Sequence, residues 1–312
     1  MKIYEILIKP KSAFVSQLKG DMLFGALCCQ IENLSDLLKD YYTNPFMVVS
    51  SAFYKKDKKY IFPSPACPNH LIFPKQSFED RRTNDEKKYF SYAEGNCLQI
   101  NDLQFPDKKD EAKKEIYVCA TNIAHNTINR LTQTTGGGEF APFSTESVFY
   151  SDETELVIFA AIDEPRFDKE NLEAAFKNLG ILGYGKKASS GYGHFEVESI
   201  EESPIFKQKF SGCNYLYALS PFIPSEKDEL KYFQPFTRYG KHGGELAVSK
   251  KPFKRPVIFA DEAALLVIPE ICNWESAVSQ FIIGKAIKGV SDILPDTVVQ
   301  GYSLCLPCRL EE

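Results

Sequence analysis

Between Gly180 and Phe195 the chain reads GILGYGKKASSGYGHF. Two glycine pairs, Gly183 with Gly185 and Gly191 with Gly193, bracket Lys186, Lys187, Ser189 and Ser190, and Tyr184, Tyr192 and His194 are interleaved with them. Glycine lets backbone N–H groups approach a ligand because no Cβ stands in the way. Successive N–H groups in a turn form an anion-binding concavity. Two ammonium groups add positive charge, and the serine hydroxyls add donors. The composition is that of a phosphate cradle.

Two nucleotide-binding motifs nearly fit. Gly180, Gly185 and Lys186 match G-x-x-x-x-G-K, but Lys187 stands where a Ser or Thr would hold magnesium. Gly183, Gly185 and Ala188 match G-x-G-x-x-A. Both motifs require the order strand, loop, helix. Here the order is reversed. Asp168 is a suitable N-cap, Leu172, Ala175, Phe176 and Leu179 fall on one helical face, and Gly180 suits the position after the helix. After the loop, His194 to Ile200 alternates like a strand. A P-loop-like nucleotide-binding enzyme is therefore the weaker alternative.

The 312 residues suggest two domains, and 44% hydrophobic with 25% charged residues is ordinary for a soluble protein. No signal peptide or long apolar run is evident, so a cytoplasmic protein without a membrane span is expected. The nine cysteines are an odd number, and several lie in apolar runs, which fits reduced thiols. Cys305 and Cys308 form a lone C-x-x-C. Cys67 and His70 would have to complete a zinc site from far away, so free cysteines and no metal are expected. The net charge of −5 disfavours a general nucleic-acid binder. However, Lys231 to Arg255 carries seven basic residues against one acid, Glu245, which suits one anionic ligand on one face.

Elements must position these groups. Lys2 to Lys9 reads as a strand, and Met22 to Ile31 as a nearly all-apolar helix capped by Asp21. Val48 to Phe62 reads as a hairpin turning at Lys55 to Lys59. Residues 78–115 alternate in charge and read as an exposed insertion. Residues 121–145 are polar and form either a flexible loop or a ligand-gripping one. Glu155 to Ile162 is a strand feeding the helix that starts after Asp168. The order resembles the βαββαβ pattern of ferredoxin-like folds. After a boundary near Ser203 to Phe210, further strands are predicted at Asn214–Leu219, Val257–Ala260, Ala264–Ile268 and Val298–Leu306. The expected class is α+β: an N-terminal domain over 1–205 and a more degenerate one over 206–312.

A glycine-rich loop between the last helix and strand of such a unit resembles the RAMP proteins of CRISPR systems. Four pieces together resemble more narrowly the crRNA 5′-handle-capping subunits of type III-A (Csm) effector complexes, the fourth Csm subunit. They are KGDMLFGALCCQI from Lys19, HNTINRLTQTTGGGEF from His125, GYGKKASSGYGHF from Gly183 and RYGKHGGEL from Arg238. The resemblance implies two tandem RRM-like (ferredoxin-like) domains and a thumb-like segment at 121–145 that kinks the guide. It also implies a non-catalytic scaffold, without cofactor, that binds the crRNA 5′ handle and contacts the large polymerase-like subunit and the backbone RAMP subunit.

The residue chemistry agrees. Phosphates are bound by Lys, Arg, hydroxyls and backbone N–H groups, which Lys186, Lys187, Ser189, Ser190 and the four glycines supply. Tyr184 and Tyr192 either stack on bases or pack inward. In the thumb-like segment Arg130 suits a phosphate, and Asn126, Asn129 and Thr132 suit base edges. Lys19 joins these contacts, and Arg238, Lys241 and His242 would form a second wall. Lys250 to Arg255 either extends that wall or is a solvated hairpin. The helix at 22–31 and the insertion at 78–115 are candidates for protein contact. The closest rival is a crRNA-processing RAMP endoribonuclease. Such enzymes commonly use a His near the first helix, but no histidine precedes His70, which leaves His125 or His194 as a general base. The backbone RAMP instead cuts target RNA with an early acid, and Asp21 lies in that neighbourhood, although its N-cap role explains it.

Overall fold

The computed structural model describes residues 1–56, 58–73, 87–94, 97–105, 118–208, 210–268 and 281–311. The first strand, β1 (Lys2–Pro10), leads to helix α1 (Gly20–Cys28), and the short α2 (Leu34–Leu38) follows. Then come β2 (Met47–Val49), β3 (Phe53–Lys56), β4 (Lys59–Pro63), α3 (Asn69–Ile72), β5 (Tyr89–Ala93) and β6 (Leu98–Gln99). A hairpin arm, β7 (Val118–His125) and β8 (Phe143–Tyr150), precedes β9 (Glu155–Ile162), α4 (Lys169–Leu182) and β10 (Phe195–Glu202).

The first sheet has the order β10-β1-β9-β3-β4-β5, with β2 also pairing β9, and every pairing in it is antiparallel. Strand β9 is buried from Leu156 to Ile162. Successive side chains point to opposite faces, so a continuous buried run means that both faces are covered. The predicted β3–β4 hairpin is present, whereas Val48 belongs to β2 and pairs with Ala161.

The later strands are β11 (Tyr215–Ala218), β12 (Leu230–Tyr232), β13 (Pro235–Arg238), β14 (Val257–Ala260), β15 (Leu265–Val267), β16 (Ile282–Gly284), β17 (Ile287–Lys288), β18 (Val298–Val299) and β19 (Tyr302–Arg309). A second sheet runs β12-β15-β11-β19-β16, with β6 added in parallel to β19. The pairs β13–β14 and β17–β18 stand apart from it. The two sheets share one hydrophobic core. Tyr217 lies against Phe62 and Phe90, and Phe206 bridges Phe159 and Phe281.

Three expectations change. Helix α1 begins at Gly20 with Lys19 as its N-cap, so Asp21 lies inside the first turn and caps nothing. The insertion predicted at 78–115 is in part core. Phe90 and Ile100 are fully buried, and β5 and β6 join the two sheets, while residues 78–86, 95–96 and 106–115 lie outside the described residues. The polar stretch 121–145 is largely the arm. Backbone pairing from Val118↔Tyr150 to His125↔Phe143 holds it together while most side chains of β7 face solvent. A lone hairpin is marginal in water. This one is anchored where Phe14 and Val148 exchange two backbone hydrogen bonds of 2.8 Å, and where Thr145 and Ser147 are buried.

Candidate nucleic-acid interface

Helix α4 positions the glycine loop. Asp168 caps it by accepting the Asn171 N–H at 2.8 Å. The helix continues past Gly180, which lies against the ring of Phe195, and ends at Gly183 with φ +86°. Strand β10 follows, so the helix-loop-strand order holds. The loop is fastened to the segment leaving β1. Gly193 N–H donates to Ala13 O at 2.8 Å, Lys186 N–H to Ser16 Oγ at 2.8 Å and His194 N–H to Ser12 Oγ at 2.9 Å. Across the loop, Tyr184 N–H donates to Gly193 O at 2.9 Å.

These bonds divide the predicted contacts. Lys186, Ser189, Ser190, Gly185 and Gly191 are exposed. Lys187 is half-buried, with Nζ 5.1 Å from the centre of the Phe143 ring and 6.0 Å from that of Tyr192. Tyr184 is corrected. Its ring is 1% exposed beside Phe14 and its hydroxyl donates to Gln17 O at 2.8 Å, so it cannot stack on a base without leaving the core. Burial also pushes its phenol well above the usual range. Gly183 and Gly193 are corrected as well. Both are buried with their N–H groups bonded to Leu179 O and Ala13 O, so those donors are already used within the protein and shape the loop.

Phe143, which the sequence reading passed over, ties the loop to the arm. It carries Lys187 near its ring and stacks on His125 at 5.2 Å. His125 Nε2 is buried with no hydrogen-bond partner. Beyond these two residues lies the arm tip, where Asn126, Arg130 and Thr132 are exposed. The Asn129 side-chain oxygen accepts the Leu131 N–H at 2.9 Å and is committed to the local turn. The sequence reading also missed Leu131, 94% exposed, and Ile128 beside it. An aliphatic residue isolated in a polar, glycine-rich stretch was the available signal.

The proposed second wall is mostly inside the protein. Arg238 forms a two-bond ion pair with Asp21, Nε to Oδ2 at 2.7 Å and Nη2 to Oδ1 at 3.1 Å. Burial raises the Asp21 pKa, and Arg238 opposes that shift. His242 is buried and bonded to Ser291 at 2.9 Å, and its pKa is lowered by burial and then by Lys254. Lys19 is paired with Asp261 at 2.8 Å and Glu262 at 2.7 Å. Its ammonium loses solvation, and the two carboxylates more than offset this. Arg238, His242 and Lys19 are therefore corrected: each already has a protein partner. Lys241 remains exposed, as do Lys250 and Lys251, whereas Lys254 is half-buried and Arg255 pairs with Asp292. The basic surplus read from the sequence is thus partly internal.

Among the described residues no group of three or more His, Cys, Asp or Glu side chains is placed to hold a metal ion. Cys305 and Cys308 are both buried in β19, and the Cys305 thiol donates to Phe281 O. No described helix is long and apolar enough to cross a membrane.

The fold and the loop together define a class. The family model of the RAMP superfamily matches residues 23–196, more than half of the chain, from inside α1 to the start of β10. The chain belongs to the RAMP superfamily. No curated protein matches it. Among solved structures, it resembles a chain of the Csm1–Csm4 cassette in complex with pppApA, at 17% identity over 100% of both chains and a TM-score of 0.62. A chain of the same cassette with cA4 matches at 16% identity over 99% of both chains, also at 0.62. A chain of the Csm3–Csm4 subcomplex in the type III-A CRISPR-Cas interference complex matches at 18% identity over 98% of this chain and 99% of that one, at 0.59. At these identities the likeness establishes the fold.

Proposed function

We propose that this protein is the crRNA 5′-handle-capping subunit of a type III-A CRISPR interference complex, a non-catalytic RNA-binding scaffold. The observation that carries this reading is the end-to-end likeness to a chain in both the Csm1–Csm4 and the Csm3–Csm4 assemblies. Csm4 is the component common to the two. By analogy, this chain joins the large polymerase-like subunit on one side and the backbone RAMP subunit on the other. Two tandem ferredoxin-like units, residues 1–205 and 206–312, follow from the same reading. The first-sheet order β10-β1-β9-β3 supports the N-terminal unit, being that of a βαββαβ fold.

The RNA groove in this proposal lies between the glycine loop and the arm, which meet at Lys187, Phe143 and His125. Lys186, Lys187, Ser189 and Ser190 hold backbone phosphates, with Arg130 at the arm tip. Tyr192 and Phe143 offer rings to unstacked bases. Against target-RNA cutting of the backbone-RAMP kind, Asp21 is buried and ion-paired with Arg238. The P-loop alternative is disfavoured by the helix-loop-strand order.

A double substitution tests the groove. Lys186→Ala with Lys187→Ala is expected to weaken binding of a repeat-derived RNA and to reduce the slope of log affinity against log salt by about 1–2, since each lost phosphate contact removes roughly 0.7 from a single-strand slope. An unchanged slope removes the loop from the interface. The same protein incubated with repeat RNA is expected to leave it intact. Cleavage abolished by His125→Ala or His194→Ala would establish the nuclease alternative.

A further inference from the structure

Past β13 and β14 the antiparallel pairing continues as a ribbon. Beyond Arg238↔Val257, Lys254 N–H donates to Gly240 O at 2.8 Å, Lys241 lies opposite Phe253, and His242 N–H donates to Pro252 O at 2.9 Å. Side chains alternate between the two faces of such a ribbon. The inner face is occupied by the protein itself. Phe236 stacks on buried Phe259, Arg238 pairs with Asp21, and His242 bonds to Ser291. The outer face carries Tyr239 and Lys241 on one strand and Phe253 and Ile258 on the other, with Lys250 and Lys251 in the adjoining turn. All six are exposed, Tyr239 at 72% and Phe253 at 67%. The ribbon starts near the glycine loop. Tyr184 of the loop donates to Gln17 O, and Asp21, which holds Arg238, lies four residues further on, at most about 14 Å along an extended chain.

We infer that the outer face of the ribbon is a second single-stranded RNA surface, on which Tyr239 and Phe253 stack unpaired bases and Lys241, Lys250 and Lys251 meet phosphates. This rests on the guide-RNA reading of the groove, from which the strand passes to the ribbon. Exposed rings interleaved with lysines are the chemistry of sequence-tolerant strand binding. A ring takes the face of any base, and the cations follow the backbone. The charge is complementary to a polyanion: from Tyr239 to Arg255 the sequence has five Lys or Arg residues and one acid, Glu245. Arg255 is taken by Asp292, which leaves the lysines of the outer face and its turn to meet the strand. The residues chosen from the sequence as a second wall, Arg238 and His242, lie on the inner face of the same ribbon, and their neighbours in alternation, Tyr239 and Lys241, are the ones that face outward.

The test uses the full-length protein and a repeat-derived single-stranded RNA, titrated at several salt concentrations. Tyr239→Ala with Phe253→Ala is expected to weaken binding by about 10-fold for each ring, with the slope of log affinity against log salt unchanged, because a ring neutralises no phosphate. Tyr239→Trp with Phe253→Trp keeps both rings and should keep the affinity. Both positions are exposed, so the denaturation midpoints should match the parent's. If the alanine variant binds as the parent does while Lys186→Ala with Lys187→Ala weakens binding, the inference is overturned and the groove stands. If neither variant weakens binding, both fall. If the alanine variant keeps its RNA affinity but no longer assembles with the large or the backbone subunit, the ribbon is a protein interface, and the inference is likewise overturned.

Discussion

Replacing Arg238 with alanine is expected to destabilise the protein by about 3 kcal/mol, the loss typical when one partner of a buried ion pair is removed. The Asp21 side chain is 3% exposed and Arg238 24%, so Asp21 is the member that cannot recover its solvation from water. Burial already pushes the Asp21 pKa up. Without Arg238 the carboxyl would either protonate or admit water beneath α1. The sign is informative. Removing both partners, Asp21→Ala with Arg238→Ala, is expected to cost less than Arg238→Ala alone, because no stranded charge is left. Urea denaturation of the two variants and the parent decides this. If the double variant is the less stable, the pair is a net stabiliser and the desolvation argument fails. In either case Arg238 joins the first turn of α1 to β13, across 217 positions of sequence.

The second large effect is expected at Gly193. Its φ is +75°, and a Cβ there would lie 2.6 Å from Tyr184 N and closer still to the Tyr184 carbonyl oxygen. Both are backbone atoms and cannot swing aside. Gly193→Ala must therefore push the two sides of the loop apart, breaking the Tyr184 N–H to Gly193 O bond and loosening Tyr184 from Gln17. A cost of about 3 kcal/mol is expected from strain of this kind, together with loss of RNA binding. Gly191 is the control. It also has positive φ, +86°, but a Cβ there meets nothing within 4 Å. Gly191→Ala should cost only about 1–2 kcal/mol, the left-handed backbone penalty alone, and should retain RNA binding. Denaturation midpoints and RNA affinities of both variants provide the check. Equal losses at the two positions would mean that close packing at Gly193 is not what shapes the loop.

Local signals carried much of the fold. The Asp168 cap, the apolar face of α4 and the alternation of β10 are short-range patterns, and they place the glycine loop correctly. Strands β14 and β9 were legible for the same reason. What failed was long-range. Asp21 has the composition of an N-cap, and only its partner Arg238 explains why it lies inside the helix. Tyr184 sits in a loop full of polar groups, yet its hydroxyl finds the Gln17 carbonyl and its ring finds Phe14. Within the charged stretch 78–115, the short run YFSYAEGNCLQI carries the buried Phe90, Tyr92, Leu98 and Ile100, and the charged segments on either side masked it. Lys19 and Arg238 were chosen for charge, and charge is the property that drew each of them to an internal carboxylate, while His242 is buried against the Ser291 hydroxyl.

The central claim is that the loop and the arm hold the end of a guide RNA. The most direct measurement is of the RNA carried by the tagged protein when it is expressed with its partner subunits and a CRISPR array. Sequencing of that RNA is predicted to return repeat-derived molecules with one uniform 5′ end, and to lose that enrichment in the Lys186→Ala, Lys187→Ala variant. Absence of RNA, or fragments with scattered 5′ ends that the loop variant carries equally well, would contradict it.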